Sequence, residues 1–212
     1  MDKLLSYNPK KLSGPKALVE YFFNKVNYKE SIIIMLVAFI VNFLFYVILG
    51  VPYLGVMAIY EFLKSVVVSW FILGFIFYLI AYFVLGKNKM PKKGFEKVLG
   101  GLASFKIPIV IYSFFTMAIS LIFMPSLLTY FSRIMTNPLL ISSSTAMPIF
   151  SVWNIIGVVL ILLVGLGIFV YLIVMYYHFT KNLFKTKNFW ITFAFLILLS
   201  VIGFLVSLII GI

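Results

Sequence analysis

Few residues in this 212-residue chain could perform acid–base or metal chemistry. The chain has one histidine, His178, five acidic residues and no cysteine. Catalysis or metal binding within a membrane needs several such side chains to converge on one point. No Asp pair and no HExxH, GxSxG or Walker pattern occurs in the sequence. The sequence therefore predicts a protein that is not an enzyme and that has no catalytic residue, metal site or cofactor.

A dense group of lysines points instead to the binding of anions. Lys and Arg number 17 against five Asp and Glu, which gives a net charge of +12. Lysines near a membrane surface attract anionic headgroups by about 1 kcal/mol each. We expect one group of lysines to contact anionic lipids or a cytoplasmic protein with an acidic face. The group consists of Lys87, Lys89, Lys92, Lys93, Lys97 and Lys106.

The composition places these residues in a membrane protein. The chain is 64% hydrophobic and 10% charged, whereas soluble domains are about 45–50% apolar and about 25% charged. Its mean hydropathy is +1.19. In such a chain an excess of cations reports which side of the bilayer a segment faces, so we expect no nucleic acid partner.

Five apolar runs are long enough to cross a hydrocarbon core of about 30 Å as helices. They are Ser31–Leu49, Val66–Leu85, Ile107–Met124, Val152–Tyr177 and Phe189–Ile210, and none contains Asp, Glu, Lys or Arg. Backbone groups in lipid need partners within the protein, so runs of this length indicate helices. We expect an all-α integral membrane protein with five transmembrane helices. Residues 1–30 would form a basic N-terminal arm and residues 31–212 the membrane domain.

The positions of the cations predict the orientation of the chain. Fifteen of the 17 lie in the N-terminal arm or after the second and fourth runs, and only Lys64 and Arg133 lie on the other side. By the positive-inside rule, the N-terminus is cytoplasmic and the C-terminus is outside a cell membrane. The fourth run exceeds the length needed, so we expect it to tilt or protrude.

Two short segments on the cytoplasmic side have amphipathic helical patterns. The first begins near Pro15 and repeats apolar residues at Leu18, Tyr21 and Phe22, and the second covers residues 95–105 before Pro108. We expect both to be interfacial helices that lie flat on the membrane. Residues 125–151, rich in Ser, Thr and Pro, are expected to form a surface loop or lid.

Small and polar residues inside the runs predict helix packing. Gly203, Ser207 and Gly211, like Ser65 and Ser69, have the four-residue spacing that lets helix backbones approach closely. The partner helix could belong to this chain or to a second copy. The polar side chains inside the runs favour interhelical hydrogen bonds, with a conducting path as the alternative. They include Asn42, Ser113, Thr116, Ser120, Asn154, Thr192 and Ser200.

Three stretches are similar to one known family. The first runs from Leu85-Gly86-Lys87 through Phe95-Glu96-Lys97-Val98-Leu99 and Gly100-Gly101 to Pro108. The second is the fourth run, which begins Trp153-Asn154 and ends His178-Phe179-Thr180-Lys181, and the third is residues 15–23. Together they resemble the Yip family, five-span membrane proteins named for interaction with Ypt/Rab-type GTPases.

The resemblance implies a membrane component that recruits or organises partners without catalysis. Eukaryotic members carry Asp-Leu-Tyr-Gly-Pro before the first span, and this chain has only Ser13-Gly14-Pro15 there. Binding of a GTPase is therefore not part of the prediction. We expect a Yip-like scaffold in the cytoplasmic membrane of a prokaryote, with anionic lipids, a cytoplasmic protein and a second copy as candidate partners. A small transporter or channel for ions or small solutes is the alternative.

Overall fold

The computed structural model describes residues 14–48, 59–60, 70–86, 93–136 and 151–210. These residues are helical apart from short connections, and no strand occurs among them. The all-α prediction is therefore confirmed. The helices are α1 (Pro15–Lys25), α2 (Tyr28–Ile48), α3 (Leu73–Leu85), α4 (Gly94–Ser104), α5 (Lys106–Phe123), α6 (Pro125–Thr136), α7 (Val152–Phe184) and α8 (Phe189–Ile210).

Two helical stretches are long and apolar enough to cross a membrane. They are Gly94–Phe123, which comprises α4 and α5, and α7. Shorter apolar helices cover Trp70–Leu85 and Phe189–Leu205. This agrees with a membrane protein, while the five spans and their orientation stay predictions.

The helix bounds follow the apolar runs, with one large difference. Helix α8 coincides with the fifth run, and α5 matches the third within a residue. Helix α7 continues to Phe184, beyond the expected end at Tyr177. Of the second run, residues 66–69 lie outside the described part of the chain.

Side-chain caps define where α2 and α8 begin. Asn27 and Glu30 form a reciprocal capping box: the Glu30 backbone N–H donates to Asn27 Oδ1 at 2.9 Å, and the Asn27 N–H donates to Glu30 Oε2 at 3.0 Å. At α8, Asn188 Oδ1 accepts the backbone N–H of Trp190 at 2.9 Å. These caps start both helices at polar residues that precede the apolar runs.

Two expectations about segments outside the runs need correction. Both amphipathic helices exist, as α1 and α4, but their apolar faces are covered by protein rather than left for the membrane surface. Leu18, Val19, Phe22 and Phe23 of α1 are buried, and so is most of α4. The expected loop 125–151 also begins as helix α6, because Pro125 fits the first turn of a helix without losing a hydrogen bond. Residues 137–150 lie outside the described part.

The chain divides into two compact units. The first consists of residues 1–35, 63–107 and 170–212, and the second of residues 36–62 and 108–169. The core of the first unit draws on α1, α3, α4, α7 and α8, with Val19, Ala81, Val98, Phe179 and Leu199 wholly buried. In the second unit, Gly157 of α7 lies against Phe123 and Met124 at the end of α5.

Candidate functional site

Helices α1 and α4 pack so closely that their backbones touch. A Cβ atom added to Gly100 would lie 2.6 Å from the carbonyl oxygen of Phe22 and 3.2 Å from that of Val26. Real Cβ atoms essentially never come within 3.0 Å of a neighbour. Gly100 is therefore required for this contact. We call these two helices, Pro15–Lys25 and Gly94–Ser104, the α1–α4 pair.

Phe179 of α7 holds the α1–α4 pair to the rest of the first unit. Its ring is fully buried and makes edge contacts with Phe23 at 6.2 Å and with Phe105 at 5.9 Å between centroids. The Phe77 ring of α3 lies 6.4 Å away. Gly101 provides the space, because a Cβ there would lie 2.7 Å from the Phe179 ring. Edge-to-face aromatic pairs each add about 0.5–1.5 kcal/mol beyond the area they bury.

Helix α4 is also joined to the segment that leads into α3. The indole Nε1 of Trp70 donates a hydrogen bond to the backbone carbonyl of Leu99 at 2.9 Å. Gly74 faces Leu99, and the Phe95 ring meets the Phe71 ring edge-on at 5.4 Å. The pair is thus packed against both α3 and α7, which makes it a rigid part of the unit.

The predicted cationic residues fall partly on this pair. Lys93 precedes α4 with a φ of 57° and forms a 3.5 Å ion pair with Glu96. Lys97 lies one turn further along α4, and Lys106 is the first residue of α5. Lys87, Lys89 and Lys92 lie outside the described residues.

Helix α1 adds further cations near His178. Lys16 and Lys25 are exposed at its two ends. Lys16, Lys181 and Glu20 lie close enough to His178 for their charges to act on it. Among the residues that the structure describes, no group of three or more His, Asp or Glu side chains could hold a metal ion. The arrangement in the first unit is a closely packed helix pair with exposed cations at the ends of α1 and just before α4.

Of the residues predicted to pack helices through small side chains, only Gly203 lies wholly in the described part, and the packing prediction stays a prediction. A Cβ added to Gly203 would meet no atom within 4 Å in that part of the chain. Ser65, Ser69 and Gly211, and the side chain of Ser207, lie outside it. The close approaches occur instead at Gly74, Gly100, Gly101 and Gly157. Of these, Gly100 has the four-residue small-residue spacing, with Ser104, so that spacing was an available signal for the contact between α1 and α4.

Two polar side chains of the second unit have buried atoms without a hydrogen-bond partner among the described residues. They are Oγ1 of Thr116 on α5 and Nδ2 of Asn154 on α7. Asn154 is only 2% exposed. Buried polar atoms are normally paired, so unpaired ones mark positions where water, an ion or a ligand could supply the missing partner.

A groove of about 320 Å³ opens in the first unit where the start of α2 meets the α4 helix and the segment before α3. Its walls are Tyr28 and Ile32 of α2, Trp70 and Phe71, and Phe95 and Glu96 of α4. In the described part of the chain the walls are almost wholly apolar, and Glu96 is their one charged side chain. The groove joins three segments that are far apart in the sequence, around residues 28–32, 70–71 and 95–99.

Comparison of the chain with family models, with curated proteins and with solved structures finds no match in any of the three.

Proposed function

We propose that this chain is a non-enzymatic, multi-pass membrane scaffold that resembles the Yip family. In this proposal it has five spans, a cytoplasmic N-terminus and an external C-terminus, and it lies in the cytoplasmic membrane of a prokaryote. Its cytoplasmic face recruits anionic lipids and a protein partner. The residues at this face are those of the α1–α4 pair and the neighbouring lysines.

The observation that carries the proposal is the close packing of the α1–α4 pair together with the exposed cations at its helix ends. Recruitment needs a surface whose shape is maintained before the partner arrives, since ordering a flexible segment on binding weakens affinity. The contact at Gly100 and the buried Phe179 ring supply that rigidity. Lys16 and Lys25 are exposed at the two ends of α1, and Lys93 is exposed just before α4; they supply the charge.

The test measures enrichment of anionic lipid around the protein in vesicles. Energy transfer from tryptophan to dansyl-labelled phosphatidylglycerol is compared with transfer to dansyl-labelled phosphatidylcholine. Replacing Lys93 and Lys97 with glutamine should lower the relative association of the anionic lipid by about thirtyfold, from about 1 kcal/mol for each lysine. Added salt should have a similar but weaker effect, because it screens exposed charges.

Lys64→Gln is the matched control, because Lys64 is predicted on the opposite side of the membrane. This variant should leave unchanged the preference of the protein for the anionic lipid over phosphatidylcholine in the cytoplasmic leaflet. Equal transfer to both labelled lipids in the unmodified protein would refute lipid recruitment by this face. Photo-crosslinking groups at positions 25 and 97 in native membranes should also capture one shared protein, and position 151 should not.

A small transporter or channel is the second candidate, and the unpaired atoms of Thr116 and Asn154 favour it. Polar groups inside a membrane helix frequently line a solute path. Purified protein in liposomes should then give ion or solute flux above empty vesicles. Asn154→Leu combined with Thr116→Val should abolish that flux. A scaffold should give none.

A further inference from the structure

The groove beside Glu96 has the composition of an organic-cation site. Four of its wall residues, Tyr28, Trp70, Phe71 and Phe95, are aromatic. Aromatic faces attract cations through their quadrupole, and several rings around one carboxylate is the arrangement that recognises quaternary ammonium groups. The groove volume of about 320 Å³ is at the small end of ligand sites, which suits a headgroup rather than a large ligand.

The small number of polar groups in the described walls determines which kind of organic cation fits the groove best. A primary ammonium or a guanidinium carries several N–H donors, and each needs an acceptor when it is taken out of water. Besides the Glu96 carboxylate, the Tyr28 hydroxyl is the only side-chain oxygen among the described wall residues, and the Trp70 Nε1 donates to Leu99. A quaternary ammonium has no N–H donor to satisfy. The walls therefore suit a quaternary ammonium better than either of the other cations.

The rim of the groove complements a zwitterion. Lys93 lies 3.5 Å from Glu96, and its side chain is 75% exposed. An exposed ion pair of this kind contributes little free energy. Lys93 and Glu96 can therefore separate, and each can bind a group of opposite charge on a ligand. A phosphate beside the ammonium would meet Lys93 while the ammonium meets Glu96.

The surroundings of the groove suit a hydrocarbon chain. Ile32 continues along α2 into exposed Ile33 and Leu36, and Phe71 is 50% exposed on the other wall. Within a bilayer this apolar surface would lie against acyl chains, so a headgroup in the groove would keep its tails in lipid. We propose that the groove binds the headgroup of a phosphocholine lipid, with the trimethylammonium among the rings and Glu96. This inference rests on the proposed membrane placement but not on the scaffold role.

The test uses Trp70 as a reporter within the groove wall. Trp153→Phe and Trp190→Phe leave Trp70 as the single tryptophan, and both replaced side chains are largely exposed. The protein is reconstituted with phosphatidylcholine, phosphatidylethanolamine or phosphatidylglycerol brominated near the headgroup end of the chains. Bromine quenches tryptophan at short range, so the quenching gives a relative association constant for each lipid at Trp70.

Phosphatidylcholine should be preferred about fivefold or more over both other lipids. Glu96→Gln and Phe95→Leu should each reduce that preference to below about twofold. Glu20→Gln, which removes a carboxylate from the same unit outside the groove, should retain it. Circular dichroism checks that every variant keeps its helical content.

Four results would overturn the inference. Equal quenching by all three lipids would mean that the groove does not select a headgroup. A preference for phosphatidylethanolamine that Phe95→Leu leaves intact would mean that the groove binds a primary ammonium through hydrogen bonds instead of a quaternary ammonium through aromatic rings. A preference for phosphatidylcholine that survives Glu96→Gln would place the selectivity elsewhere. Stronger quenching by phosphatidylglycerol would overturn the inference as well, because the nearby lysines would then select the lipid at Trp70. Capture of a protein partner at positions 25 and 97 does not depend on the groove, so failure here is distinguishable from failure of the scaffold proposal.

Discussion

Replacing Gly100 with alanine should destabilise the protein, because the new methyl group would collide with backbone rather than with a side chain. Its Cβ would lie 2.6 Å from the Phe22 carbonyl oxygen, whereas ordinary van der Waals contact begins near 3.4 Å. Helix α1 would have to move away by the difference, 0.8 Å. A carbonyl within a helix cannot rotate aside as a flexible side chain can, so the movement must involve the whole helix.

The size of the effect follows from two opposing terms. Overpacking a well-packed contact costs about 1–3 kcal/mol. Alanine gains about 1 kcal/mol over glycine in a helix interior. We expect the free energy of unfolding to fall by about 1–2 kcal/mol, since the carbonyl cannot move aside and the overpacking cost therefore lies in the upper part of its range. For a protein of this length that corresponds to a fall in Tm of about 2–8 °C.

The assay is thermal unfolding of the purified protein in detergent, followed by circular dichroism. Gly167→Ala is the matched control, because Gly167 also lies inside a helix but a Cβ there meets nothing within 4 Å in the described part of the chain. That variant should melt at the same temperature as the unmodified protein or slightly above it. If Gly100→Ala melts as high as Gly167→Ala, the close contact between α1 and α4 is wrong.

Three other predictions test local features and the topology. Asn188→Ala should lower the free energy of unfolding by about 1 kcal/mol through loss of the α8 cap, and Asn188→Ser should restore most of it; equal melting of all three proteins would show that the cap contributes nothing. Trp70→Phe should lower Tm by about 2–4 °C, because it removes the hydrogen bond to the Leu99 carbonyl, while Trp153→Phe, at an exposed position, should not change it. Single cysteines at Lys10, Lys92 and Lys185 should be labelled only from the cytoplasm and one at Ser143 only from outside, with no background because the chain has no native cysteine; labelling of positions 92 and 143 from the same side would contradict five spans.

The α1–α4 pair shows how far the sequence pattern could be taken. The apolar spacing predicted a helix that begins near Pro15, where α1 begins, and one over residues 95–105, which α4 matches within a residue. The same pattern cannot distinguish a face that meets lipid from one that meets another helix, because both surfaces are apolar. The pair was therefore expected on the membrane surface, and the structure covers its apolar faces with protein instead.

Gly203 shows the same limit for small residues. Its four-residue spacing with Ser207 and Gly211 indicated close packing, but no described atom of the chain lies within 4 Å of a Cβ there. Gly100 has the same spacing with Ser104, and a Cβ there would lie 2.6 Å from the Phe22 carbonyl oxygen. A glycine in a helix permits close approach without requiring it, so its role depends on what lies opposite.

The amino-acid sequence by itself determined that the described residues are helical and where most helices begin and end, because run length, capping residues and the exclusion of charge act locally along the chain. It also determined the strong basicity of the segments between the runs. Only the tertiary structure decided that Gly100 faces the Phe22 carbonyl, that Phe179 joins four segments of the first unit, and that Glu96 shares a groove with Tyr28 and Trp70. These pairings join residues far apart in the chain, and they depend on how whole helices pack, which no local pattern specifies.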